Sequence, residues 1–186
     1  MIIPPTPRET VPDTTEPPAP RPIESFDLGA MVLPMDPTNR TPSHVACHQL
    51  FKDLAPVDVA LVDRSAMVRN AEGRELGSVT IESVRITDLA HRGVTEALVI
   101  MRCTTPERTV RSVAIFDGGV DQPVLFYASN DVNGYDDVVN VELGDNPDCA
   151  LRVTFHSGAM PANTLFLDLR RTATTMEMVP VGCWVP

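Results

Sequence analysis

Lysine is almost missing from this 186-residue chain, which carries only Lys52, and the formal net charge is -10. Binding to a phosphate backbone draws its affinity from Lys and Arg neutralisation and counterion release, so nucleic acid is not an expected partner. No apolar run approaches the roughly 18 residues that span a bilayer, and the N-terminus MIIPPTPRET lacks a basic region followed by a long apolar one. The expectation is a soluble chain made in the cytoplasm, with no membrane partner. Cys-x-x-Cys is absent as well: Cys47, Cys103, Cys149 and Cys183 stand far apart. That spacing writes neither a zinc ribbon nor a redox motif and predicts free thiols, with Cys103 and Cys149 as small buried hydrophobes inside apolar runs.

Reaction signatures are equally scarce. Neither a Gly-x-Ser-x-Gly elbow nor a Gly-x-x-x-x-Gly-Lys phosphate loop occurs. His44, Cys47 and His48 fall within one turn on one face of a predicted helix, with His91 or His156 as a distant fourth ligand. They lack the glutamate of His-Glu-x-x-His, so a solvated or interface-facing helix surface is the expectation. Asp131, Asn133, Asp136 and Asp137 gather oxygen ligands without the spacing or the closing glutamate of a calcium loop, and Asn133-Gly134 suits a turn. No catalytic, metal or cofactor site is expected. Among nine aromatics only Tyr127, Tyr135 and Trp184 suit an exposed sugar platform; Phe116, Phe126, Phe155 and Phe166 sit in apolar runs.

What is abundant is proline, unevenly placed: 11 of 18 fall in residues 1–42. Proline lacks an N–H and fixes φ near -65°, so this segment is predicted to be an extended arm of polyproline II character. It nevertheless carries Ile23, Phe26, Leu28, Met31, Leu33 and Met35. Ordering about 40 residues costs roughly 40–80 kcal/mol. Offsetting the lower figure at about 25 cal/mol per Å² needs about 1,600 Å² of apolar burial. An ordered arm therefore lies along a large surface, and those six residues are its expected anchors on a partner.

Thr41-Pro42 reads as an N-cap followed by proline at the first helical position, which predicts one short helix over about 43–54. Beyond it the period becomes that of strands. Val57, Val59 and Leu61 alternate; Val79 and Ile81 are followed by Val84 and Ile86 after a slip at Ser83 that suggests a bulge. Further apolar runs cover 98–103, 110–116, 124–128, 138–143, 150–155, 165–169 and 176–181, separated by turn signals such as Asp117-Gly118-Gly119. The pattern predicts an all-β domain over 43–186, an antiparallel sandwich or jelly-roll-like fold.

The stretch Val113-Ala-Ile-Phe-Asp117, a glycine-containing turn, then Leu125-Phe-Tyr-Ala128 resembles a strand pair of small bacteriophage virion proteins, among head-decoration and tail-associated families. There it forms a hairpin of a β-sandwich. Here Val120-Asp-Gln-Pro123 lengthens the turn. The resemblance implies a non-enzymatic structural role in the virion, with other capsid or tail subunits and further copies of itself as partners. The alternative expectations are a carbohydrate- or receptor-binding β module of a fibre and a metal-dependent enzyme.

Overall fold

Alternating apolar residues become antiparallel ladders, and the chain is all-β. The structure is a computed structural model that describes residues 18–35, 50–51, 54–128, 135–146, 148–157, 160–172 and 176–178. The strands are β1 (Val32–Met35), β2 (Val57–Ala60), β3 (Ser65–Arg69), β4 (Glu75–Thr87), β5 (Glu96–Thr104), β6 (Thr109–Asp117), β7 (Val124–Ala128), β8 (Tyr135–Asn146), β9 (Cys149–Ser157), β10 (Met160–Arg171) and β11 (Met176–Met178). Among the described residues the only helical piece is a 3-10 turn, Ile23–Ser25. The helix predicted over 43–54 lies outside the described residues except for Leu50, Phe51 and Leu54; Phe51 and Leu54 are buried.

Among the described residues three sheets form: β1-β2, a curled half-barrel ordered β3-β4-β5-β6-β7, and a four-stranded sheet ordered β11-β10-β9-β8. β5 and β6 read as nearly continuous apolar runs because both of their faces are covered. Ala97, Val99, Met101, Ala114 and Phe116 enter one core, shared with β1, β2 and the arm. Leu98, Val113 and Ile115 enter a second core, shared with Val138, Leu151, Val153, Phe155 and Leu169 of the four-stranded sheet. The period of two thus feeds two cores from one pair of strands.

The slip at Ser83 is a bulge: the register of β4 on β5 shifts between Ile81 and Ser83. The extra residue returns Val84 to the face of Val79 and Ile81, and all three serve the first core. Pro123 precedes β7, which is an edge strand, where a missing donor is tolerated. β8, an edge of the other sheet, has three register shifts against β9, irregularities that make it a poor template for further pairing.

Two expectations change. The arm is more than a polyproline ribbon, since residues 32–35 pair with β2 despite Pro34. The thiols are not free: Cys103 and Cys149 are both disulfide-bonded, and no described cysteine is free. Wide spacing in sequence does not oppose bonding, because bridge formation depends on folded geometry that spacing does not encode. Cys47 and Cys183 lie outside the described residues.

Candidate functional site

The ends of three strands bring three ionisable side chains together. Glu96 opens β5, Asp117 closes β6 and Arg171 closes β10, so the cluster ties the half-barrel to the four-stranded sheet. Arg171 Nη2 donates to both carboxylate oxygens of Asp117, at 3.2 and 3.0 Å. Its Nε faces Glu96 Oε1 at 3.4 Å, Nη1 donates to the Thr172 carbonyl, and the guanidinium lies over the Phe126 ring. The Arg171 and Glu96 side chains are 2% and 1% exposed. Such a desolvated pair holds only with further hydrogen bonds. Glu96 Oε2 accepts one from the Leu89 N–H at 2.9 Å. Burial pushes the Glu96 carboxyl above its ordinary range, opposed by the Leu89 N–H and by the Arg171 charge.

The arm closes one side of this cluster. A cleft of about 530 Å³ runs between Arg21–Glu24 of the arm, the loop through Arg92–Thr95, Asp117–Gly118 and Arg171. Two hydrogen bonds and one close backbone approach seat the arm there. The Arg21 N–H donates to the Gly119 carbonyl at 2.7 Å. Thr95 Oγ1 donates to Glu24, and that hydrogen bond holds the Glu24 carboxyl below its usual range. Gly118 has no room for a Cβ, which would lie 2.1 Å from the Arg21 carbonyl oxygen. Behind the lining residues Arg92 and Gly93, Asp88 accepts from both of their backbone N–H groups; the Arg92 bond is the main cause of a carboxyl held below its ordinary range.

Arg171 spends its charge on Glu96 and Asp117, and Arg92 lies 3.7 Å from Glu96. Among the described residues no group of three or more His, Cys, Asp or Glu is placed to hold a metal.

No family model, no curated protein and no solved structure matches the chain. The site therefore rests on its own geometry.

The six arm residues predicted to reach a partner sit against the chain's own first core. Ile23, Met31, Leu33 and Met35 are buried, and Phe26 and Leu28 pack on them half-buried. His44, Cys47, His48, Asp131, Asn133, Gly134 and Trp184 lie outside the described residues, while His91 is exposed in the loop between β4 and β5 and His156 is exposed on β9. Of the sugar-platform candidates, Tyr127 is packed against the second core, and burial pushes its hydroxyl up to about 12. The Glu96–Arg171–Asp117 cluster was not anticipated. Its only signal is a charged residue at the head of one apolar run and at the tail of two others.

Proposed function

We propose that this chain is a non-enzymatic structural protein of a bacteriophage particle, a decoration, head-tail connector or tail component that joins neighbouring subunits and its own copies. The observation that carries the reading is the arm. Residues 18–35 run over the β body, turning at Ile23–Ser25 and pairing as a strand at Val32–Met35, fixed by the Arg21–Gly119 and Leu61–Met31 main-chain bonds and by buried anchors, with Pro18–Pro20 exposed. The segment that precedes Pro18 is rich in proline and is the part of the arm left to meet a neighbouring subunit in this reading. Disulfide-bonded Cys103 and Cys149 agree with a working life outside the reducing cytoplasm, on a particle surface for example. β6 and β7 pair as antiparallel neighbours, and a hairpin at this stretch is what the resemblance to virion proteins supposes.

Truncation of residues 1–17 tests the reading, because it ends before Pro18 and spares every described core residue. The shortened chain is expected to fold with an unchanged melting temperature and to lose its place on purified particles, as measured by quantitative mass spectrometry. Unchanged occupancy would remove the stapling role. Absence of the full-length chain from particles would remove the virion reading itself.

A further inference from the structure

Cys103 and Cys149 are both disulfide-bonded, yet the fold keeps them from bonding to each other. Cys103 has the parity of Ala97, Val99 and Met101 on β5 and points with them into the first core, away from the four-stranded sheet. Cys149 begins β9 of that other sheet. Stacked sheets lie about 10 Å apart, whereas a bridge needs Cα atoms about 4.4–6.8 Å apart. The two cysteines also stand at opposite ends of the stack. The register that sets Leu151 opposite Leu169 carries Cys149 to the level of Arg171, whose guanidinium meets Glu96 at the head of β5. From Glu96 the strand runs about 23 Å to Cys103.

Each therefore has its partner in Cys47 or Cys183, both outside the described residues, and two described residues near them in sequence decide which. Phe51 is buried in the first core against the end of β5: a Cβ on Gly77 would lie 2.9 Å from its Cε1 and 2.0 Å from the Thr104 carbonyl oxygen. The chain from Cys47 to Phe51 spans at most about 14 Å, enough to reach Cys103 beside Thr104. It is too short to reach Cys149, which lies beyond the sheet and on the order of 25 Å from this end of β5. At the other end, Met178 pairs with Leu169, which pairs with Leu151. Met178 thus lies about 10 Å from Leu151, two strands away. The chain from Met178 to Cys183 spans up to about 17 Å, which brings Cys183 within reach of Cys149.

We infer that the chain carries two separate redox clasps, Cys47–Cys103 fastening the connection between β1 and β2 to the first core, and Cys149–Cys183 fastening the chain after β11 to the four-stranded sheet. Each forms as two thiols pass two electrons and two protons to an external disulfide, which leaves as two thiols. The loops they close follow one another in sequence without overlap, so either opens without the other. The pairing stands apart from the virion reading, since it holds or fails in purified protein with no particle present. The test is peptide mapping of the full-length, unreduced chain with free thiols blocked before trypsin is added. Cleavage after Arg and Lys puts the four cysteines in four peptides, 41–52, 103–108, 112–152 and 172–186. Expected are 41–52 joined to 103–108 and 112–152 joined to 172–186, from a chain that runs as a monomer on a non-reducing gel. Any other joining, four free thiols, or a covalent dimer would overturn the assignment. Cys47→Ser should release one thiol, found at Cys103 after unfolding, and leave 112–152 joined to 172–186. A thiol released at Cys149 instead would overturn the independence of the two clasps.

Discussion

The carbonyl oxygen of Arg21 lies over Gly118 so closely that a Cβ there would approach it to 2.1 Å, and it would also come within 3.2 Å of the Ile23 nitrogen. The glycines that end the first strand of the hairpin thus serve a second purpose: they let an extended segment, distant in sequence, lie on the turn. Gly118→Ala should lift the arm from its seat while leaving β6 and β7 paired. The expected cost is about 1–3 kcal/mol, in the range of other overpacked sites. A lower melting temperature, with faster proteolysis between Arg21 and Phe26 than elsewhere, is the checking result.

Arg171 and Glu96 supply a sharper test, because the two halves of a buried ion pair respond asymmetrically. Arg171→Met leaves the buried Glu96 carboxylate beside Asp117 with only the part-exposed Arg92 guanidinium, 3.7 Å away, as a cationic partner. A loss of about 3–5 kcal/mol is expected. Adding Glu96→Gln removes the stranded charge and keeps an acceptor for the Leu89 N–H, so the double variant should regain part of that loss. Urea denaturation of the parent, both single variants and the double variant measures the coupling. Purely additive effects would mean that the pair does not tie the sheets.

These residues also mark what the sequence can and cannot tell. Strands read from Val79-x-Ile81, from 98–103 and from Val124–Ala128 appear where alternation places them, because a strand facing one or two cores writes its burial directly as apolar periodicity. The bulge at Ser83 is legible for the same reason: a slip in the period is an extra residue. β3 escapes notice since it shows only Ala66 and Val68 inward across five residues, with Met67 outside. The cluster at the strand ends and the disulfides are long-range facts. Glu96, Asp117 and Arg171 meet only after two sheets stack, and no local pattern encodes that meeting. The arm is half legible: its prolines predict extension, but whose surface its apolar residues cover is not written in their spacing.

Tyr127 gives a prediction in alkaline solution. Burial raises its hydroxyl to about 12, against an ordinary value near 10 in the unfolded chain. The folded state therefore holds the proton more tightly. Its contribution to stability is complete below about pH 10 and is lost as pH rises through the window from 10 to about 12. Tyrosinate absorbance should show one tyrosine resisting ionisation until the chain unfolds. Tyr127→Phe should abolish that late component and flatten the alkaline fall in stability; an unchanged titration in the variant would assign the late proton to another group.

Disulfide bonds at Cys103 and Cys149 make stability depend on redox state. Cys103 is fully buried beside Met101 and Val99 in the first core, and Cys149 is buried at the start of β9. Reagents for free thiols should find neither residue in the unfolded, unreduced protein, which peptide mapping can check residue by residue. Reduction restores the conformational freedom that the cross-links remove from the unfolded chain, and loss of a native bridge typically costs about 2–5 kcal/mol. Melting in the presence of a strong dithiol should consequently fall well below that of the oxidised protein. Serine at Cys103 or at Cys149 should reproduce part of the fall and make that part insensitive to the dithiol. Equal melting with and without reductant would show that the bridges do not hold the fold, and would withdraw the argument that the chain works outside a reducing compartment.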